Sequence, residues 1–400
     1  MLDDLAGRIN DCDSHEMIPT HLWGEAFGPI GQMLSAPVEA LFPDIGGDNL
    51  VRPDVPGDVL EITPEVVWNQ KGAAAPGAID MERRLQASDA MGIHRQLIFP
   101  SFGALGMILQ TGGPAVADYI GIELPPGLAE SFDMAELGGA TITAHNDWVI
   151  RTMKLDPDRL RPVAILPVGG VDVMMAEAQR VIDGGGRALW LPSAVPPAGT
   201  SPGNAALDPF WALVADANVA VVFHIASEFA FTDPAWRDHP AFANENDSLE
   251  LPGLNAYALT TLSVATENFL AAMTLGGVFE RHPTLRVGAI ELGSNWVGPL
   301  AERMDIYAGL FKGVRTGLSM KPSEYLARNL RVTPFHFEPV AEIIERFPAL
   351  ADVYVYASDY PHVEGGRASH RTLYDKLAPL GDEGLIENFF VNNAELLLPA

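Results

Sequence analysis

The run Val219-Ala220-Val221-Val222-Phe223 constrains this chain most. Five consecutive apolar residues leave no polar face for water, so a strand made of them is buried on both sides. Similar runs recur at Gln96-Leu97-Ile98-Phe99-Pro100, at 161–167, at Ala188-Leu189-Trp190-Leu191, at 285–290, at 330–334 and at Val353-Tyr354-Val355-Tyr356-Ala357-Ser358. With the short stretch opening at Ile9 they make eight. Between them lie segments with apolar residues at helical spacing, such as 81–91, which Gly92 stops, and 171–182, 210–218, 268–280, 296–311 and 339–346. Closing helices are expected at about 371–377, 382–389 and 393–397. Buried strands alternating with helices imply a parallel sheet. Eight such units predict an α/β fold of the (β/α)8 TIM-barrel type. An open doubly wound sheet is the alternative, but no glycine-rich turn follows the first strand, which argues against a dinucleotide site.

A barrel of this kind takes about 250 residues, and the chain has 400. The surplus falls mainly in three excursions, at about 16–80, 101–131 and 225–262, after the first, second and fifth strands. That is the C-terminal face of a barrel, where active sites lie. The expectation is one domain, 1–400, with these insertions over its mouth. The first is rich in Pro and Gly and far longer than an ordinary connection of about 4–6 residues.

Net charge is −27. That excludes a general affinity for nucleic acid or for anionic membranes, both of which need Lys and Arg. A hydrophobic content of 48% supplies a large core. Cys12 is the one cysteine, so no intramolecular disulfide forms. A reducing, cytoplasmic setting is expected, since Met1-Leu2-Asp3-Asp4 does not read as a signal peptide and no apolar stretch approaches the ~20 residues of a membrane span.

The strand ends carry the chemistry. Asp11, Asp13 and His15 alternate, so they share a face if the first strand persists that far. Strand five ends in His224, strand six in Glu291 and strand eight in Asp359. A barrel gathers these termini. Aspartate and histidine converging on one point are ligands for zinc or manganese. Bound metal lowers the pKa of a water to about 7 and polarises a carbonyl.

The stretches Asp11-Cys12-Asp13-Ser14-His15-Glu16, Met91-Gly92-Ile93, Phe223-His224, Glu291-Leu292-Gly293-Ser294-Asn295-Trp296, Ala357-Ser358-Asp359-Tyr360-Pro361-His362 and Phe389-Phe390-Val391-Asn392-Asn393-Ala394 resemble the amidohydrolase superfamily. The likeness is to the amidohydrolase-related branch that contains aminocarboxymuconate-semialdehyde decarboxylase, and it runs nearly end to end. It implies a distorted TIM barrel, one Zn2+ or Mn2+, and a homodimer. It implies a His-x-His pair on strand one, a His on strand five, often a His on strand six, and an Asp on strand eight. Carried over, the metal ligands are Asp13, His15, His224 and Asp359. The sequence departs twice: Asp13 replaces the first His of the pair, and Glu291 stands where strand six often has His. An added carboxylate tilts the site toward harder metals such as Mn2+.

The catalytic groups expected are Asp359, Glu291 and His224. A carboxylate at 291 suits water activation better than proton delivery to a carbanion, unless its pKa is raised. The first expectation is therefore a metal-dependent hydrolase acting on a small cyclic or aromatic-derived substrate, carboxylated or not. The alternatives are a nonoxidative decarboxylase and a non-catalytic ligand-binding barrel. His336, His362 and Trp236 are candidates for touching substrate. His94, His145 and His282 read as structural, and Arg83 and Arg84 as a solvated helix face.

Overall fold

The computed structural model describes residues 2–41, 58–111, 133–226, 231–242 and 255–399. Parts of all three predicted excursions, including the Pro-Gly clusters at 43–47 and 53–57, lie outside the described residues. Among the described residues eight short strands form: β1 (Ile9–Asp11), β2 (Ile93–Ile98), β3 (Leu160–Pro162), β4 (Ala164–Ile165), β5 (Ala188–Trp190), β6 (Ala220–His224), β7 (Arg286–Ile290) and β8 (Leu330–Val332). All pair in parallel, in the orders β1-β2-β3 and β4-β5-β6-β7-β8. The chain is an α/β TIM barrel, as predicted.

Two of the eight predicted strands differ in detail. The third, expected at 161–167, is divided into β3 and β4. Pro162 has no N–H to give the ladder, and Val163 bridges the break by donating to Ile98 O at 2.9 Å. The eighth, expected at 353–358, is extended without being a regular strand. The Tyr356 N–H goes to Phe389 O instead of to a neighbouring strand. This segment nonetheless closes the ring. Val355 N donates to Val332 O at 3.0 Å on the β8 side. On the β1 side Cys12 N donates to Tyr356 O at 3.1 Å, Asp359 N to Asp13 O at 2.8 Å and His15 N to Tyr360 O at 2.7 Å.

Side-chain alternation turns the apolar runs into two separate cores. Ala220 and Val222 of β6, Ala188 and Trp190 of β5, and Leu97 and Phe99 at β2 fill the barrel with Cys12, Ile290 and Val355. Val221, Phe223, Leu189, Val287 and Ala289 face outward onto the helices. His224 keeps the register of Ala220 and Val222, so it points inward at the C-terminal mouth. Leu397 and Leu398 join the interior core, and Arg286 at the start of β7 binds Leu396 O at 2.9 Å. The C-terminus thus plugs the opposite end.

The described pieces of the excursions include helices Trp23–Leu41, Phe102–Thr111 and Ala256–Thr261. They follow β1, β2 and β6, on the mouth side. No described helix is long and apolar enough to cross a membrane.

Candidate metal centre

The β1 stretch does not continue its alternation as expected. The strand ends at Asp11, so the alternation lapses beyond it and Asp11 parts from Asp13 and His15. Its carboxylate accepts from Gln96 Nε2 at 2.8 Å, Ser358 Oγ at 2.6 Å and Ser358 N at 2.8 Å. It is a buried tie between β1, β2 and the closing segment. Burial pushes its pKa up to about 7, against the pull of those hydrogen bonds.

Asp13, His15, His224, Glu291 and Asp359 converge. His15 Nε2 lies 3.4 Å from Asp13 Oδ1, 3.3 Å from Asp359 Oδ1 and 3.7 Å from Glu291 Oε2. His224 Nε2 lies 3.4 Å from Asp13 Oδ1 and 3.1 Å from Glu291 Oε2. All five residues are buried. Their ligand atoms form two overlapping groups that could hold an ion: Asp13, His15, His224 and Glu291, and His15, Glu291, Asp359 and His362. Glu291 and His15 stand in the overlap.

Glu291 and Asp359 both have left-handed backbones, with φ of 53° and 51°. A non-glycine residue there is strained by about 1–3 kcal/mol, and such strain collects at functional sites. In each case the turn comes directly after the strand position, which aims the carboxylate into the mouth. Asp359 is the better supported of the two, since His362 Nδ1 lies 3.0 Å from its Oδ1. Burial works to raise the Asp359 pKa, but the charge and hydrogen bond of His362 and the nearness of His15 hold it below the usual carboxylate range. Glu291 moves the other way. Burial and then the charge of Asp359 push it well above the ordinary value, with His224 opposing. Burial disfavours charge on His224, yet Asp13 and Glu291 prevail and push its pKa up to about 10.

The residues fit one divalent ion. Asp13 Oδ1, His15 Nε2 and Glu291 Oε2 are buried and make no hydrogen bond of acceptable geometry, although they crowd together. Buried polar atoms are rarely left this way. Atoms that face a common centre and not one another are arranged as ligands. Two imidazoles and several carboxylates are a nitrogen–oxygen set suited to zinc or manganese.

His362 stacks on the His15 ring at 3.8 Å. His336 lines a small cavity with Asp13, Glu291 and Asp359. Trp236 stands apart on the short helix Pro234–Arg237, 67% exposed. Exposure on this scale runs against the expected substrate contact. His145 is structural as expected: its Nε2 meets Val163 O at 2.9 Å and burial pushes its pKa down to about 4. His282 binds Asp208 at 3.3 Å, and His94 lies 3.6 Å from Asp158.

Arg84 overturns its sequence reading. It is fully buried, not on a solvated face. Its guanidinium binds His15 O and, at 2.6 Å, Gly77 O, and lies over the Tyr360 ring. It ties the described part of the first excursion to the backbone of a cluster residue. Helical spacing did hold a signal, because Arg84 falls on the stripe of Met81, Ala87, Ser88 and Met91.

Sequence reasoning also missed Glu338. Its carboxylate accepts from Ser294 N at 3.0 Å, Asn295 Nδ2 at 2.8 Å and Phe335 N at 2.8 Å. It joins the loop after Glu291 to the loop carrying His336. Replacing it with alanine strands several donors, and urea unfolding should show a loss of about 2–4 kcal/mol.

A parallel barrel with a buried, mononuclear-type cluster at its C-terminal mouth defines a metal-dependent barrel enzyme. A family model described as Amidohydrolase matches residues 125–400, more than half of the chain. The chain belongs to the amidohydrolase family. No curated protein matches it. Among solved structures it is similar to an amidohydrolase from Mycobacterium avium subsp. paratuberculosis K-10, at 20% identity and a TM-score of 0.64 over 98% of both chains. It is also similar to the 5-carboxyvanillate decarboxylase of Novosphingobium aromaticivorans with bound manganese, at 16% identity and a TM-score of 0.59 over 98% of this chain and 97% of that one. The 2,6-dihydroxybenzoate decarboxylase from Rhizobium matches at 16% identity and a TM-score of 0.56 over 98% of both chains. At these identities the likeness is one of fold.

Proposed function

We propose that this protein is a divalent-metal-dependent, nonoxidative decarboxylase of a small carboxylated aromatic acid. The carrying observation is the place of Glu291. It lies at the centre of the cluster, shared by the group with Asp13, His15 and His224 and the group with His15, Asp359 and His362. Burial and the neighbouring charge of Asp359 push its pKa well above the ordinary carboxylate value, which favours its carrying a proton. That reverses the weight given to it from sequence, where an ordinary carboxylate favoured hydrolysis. The manganese-bound 5-carboxyvanillate decarboxylase and the 2,6-dihydroxybenzoate decarboxylase, which share the fold, support the same direction.

On this reading Asp13, His15, His224 and Asp359 hold the ion, with Mn2+ favoured over Zn2+ by the carboxylates. The ion supplies Lewis acidity toward substrate oxygens. His362 holds Asp359 in place, and His336 contacts the substrate from the cavity wall. Glu291 delivers its proton to the ring carbon that bears the carboxylate. The carbon–carbon bond to the carboxylate then breaks, its electron pair stays on the ring, and CO2 leaves. We read the chain as one domain, with the described parts of the three excursions bordering this mouth.

The test uses the Mn2+-loaded protein and a panel of hydroxylated benzoates in D2O. Decarboxylation releases CO2 and leaves deuterium at the vacated carbon. Glu291→Gln should keep its metal and lose about 10²- to 10⁴-fold in kcat, the usual worth of a positioned acid. Hydrolysis is the second reading, favoured by the family description, with Glu291 ionised and accepting a proton from water. Oxygen from labelled water in the product, without CO2, would decide for it.

A further inference from the structure

The cavity against the metal cluster has room for little more than one water, at about 20 Å³. An aromatic acid therefore needs space beyond it. A second cavity of about 410 Å³ adjoins, and Phe335 lines both. Small-molecule pockets run to about 300–1,000 Å³, so this one is large enough for a ring.

Its walls describe what it would take. Leu259, Leu292, Trp296, Phe335 and Phe337 bring apolar and aromatic groups to a lining that is otherwise polar. Phe335 and Phe337 stack on each other, with centroids 5.1 Å apart and planes at 9°. Thr260, Ser263 and Asn295 add hydrogen-bonding groups, and the ionisable side chains in the lining, Glu267 and Glu338, are both acidic. No lysine or arginine is among the lining residues, so nothing there balances an anion. The wall and the centre are carried by one stretch of chain, since Leu292 and Gly293 directly follow Glu291. Glu338 fixes this wall by binding Ser294, Asn295 and Phe335 together.

We infer that the cavity between Phe335, Phe337, Trp296 and Leu259 receives a neutral, hydroxylated aromatic extension of the substrate. The substrate class is then a two-ring acid, with its carboxylate at the metal cluster and its uncharged ring in this cavity. The inference rests on the reading of the cluster as the place where an acid is turned over. Phe335, which borders both spaces, sets how the two rings are angled.

Two measurements separate this inference from the reading beneath it. The first is calorimetric titration of the Mn2+-loaded protein with 4-phenylphenol, a neutral two-ring phenol that needs no turnover. Thr260→Trp, at an exposed position on the cavity rim, should weaken that binding at least tenfold, and Phe337→Ala should weaken it about three- to tenfold by removing one stacking face. The second is the ratio of kcat/KM for a phenyl-substituted hydroxybenzoate to that for the unsubstituted acid, which should fall at least tenfold in Thr260→Trp. Binding of 4-phenylphenol that neither variant alters, or a ratio unchanged by Thr260→Trp, would overturn the inference even if CO2 is released. Failure of every acid to release CO2, with binding still lost in both variants, would leave the cavity as a ring-binding site and remove only the decarboxylase reading.

Discussion

His224→Ala is expected to lose the divalent ion and with it all measurable turnover. His224 approaches Asp13 and Glu291 at 3.4 and 3.1 Å from inside the barrel. No other described side chain on β6 can replace it, because Ala220 and Val222 are its neighbours on that face. Even partners behind a metal ligand are worth about 10–100-fold in affinity, so loss of a ligand should cost at least that. Elemental analysis should find about one Mn2+ or Zn2+ per wild-type chain and far less in the variant. Chelator-treated wild type should be equally inactive and recover on adding Mn2+, whereas His224→Ala should not. Ion at one hundred times its Kd should also stabilise the wild type by about 2.7 kcal/mol through binding to the folded state. That shift in unfolding midpoint should vanish in the variant. Asp359→Asn should behave alike, since His15 and His362 both meet that carboxylate. Full metal occupancy in both variants would show that the ion, if bound, sits elsewhere.

Arg84→Ala is expected to be the most destabilising single change outside the cluster. The guanidinium is completely buried among Gly77 O, His15 O and the Tyr360 ring. Asp11, Asp58, Glu16 and Tyr360 all favour its charge, against the cost of burial. Removing it leaves two buried carbonyls without donors. Each buried acceptor left unsatisfied costs about 1–3 kcal/mol, so a loss of about 2–5 kcal/mol is expected. Denaturant unfolding reads this directly. Arg84→Lys should recover only part of the loss, because one ammonium cannot reproduce the forked geometry. Metal binding should weaken as well, since Arg84 holds the main chain of His15. Wild-type stability in Arg84→Ala would mean that the carbonyls find other donors.

Glu16 shows why some of the centre was hidden from sequence. It lies beside His15 in the chain and looks like another ligand. Folded, its carboxylate turns away and accepts from Ser101 N at 2.8 Å and Ile18 N at 2.9 Å, which pins the starts of two excursions together. Asp11 is the matching case on the other side of Asp13. Both are acids of the right type near the end of β1, and the hydrogen-bond donors packed around each hold it away from the cluster. Glu338 could not be read at all. Besides Phe335, its partners Ser294 and Asn295 lie more than forty residues away, and no local periodicity marks it.

The sequence by itself determined the architecture and the cluster. Unbroken apolar runs alternating with helical segments permit little other than a parallel barrel, because such strands must be covered on both faces. A barrel of that kind gathers its strand ends, so His15, His224, Glu291 and Asp359 could be assigned to one place before any coordinate was known. Local pattern carries this information because it depends on residues two or four apart. Only the tertiary structure decided that Asp11 is a buried tie outside the cluster, that Arg84 is an internal tie, and that Glu291 lies at the centre of the ligand set. Those outcomes depend on which distant atoms come within about 3 Å. They are set by register and burial, which a spacing rule does not encode.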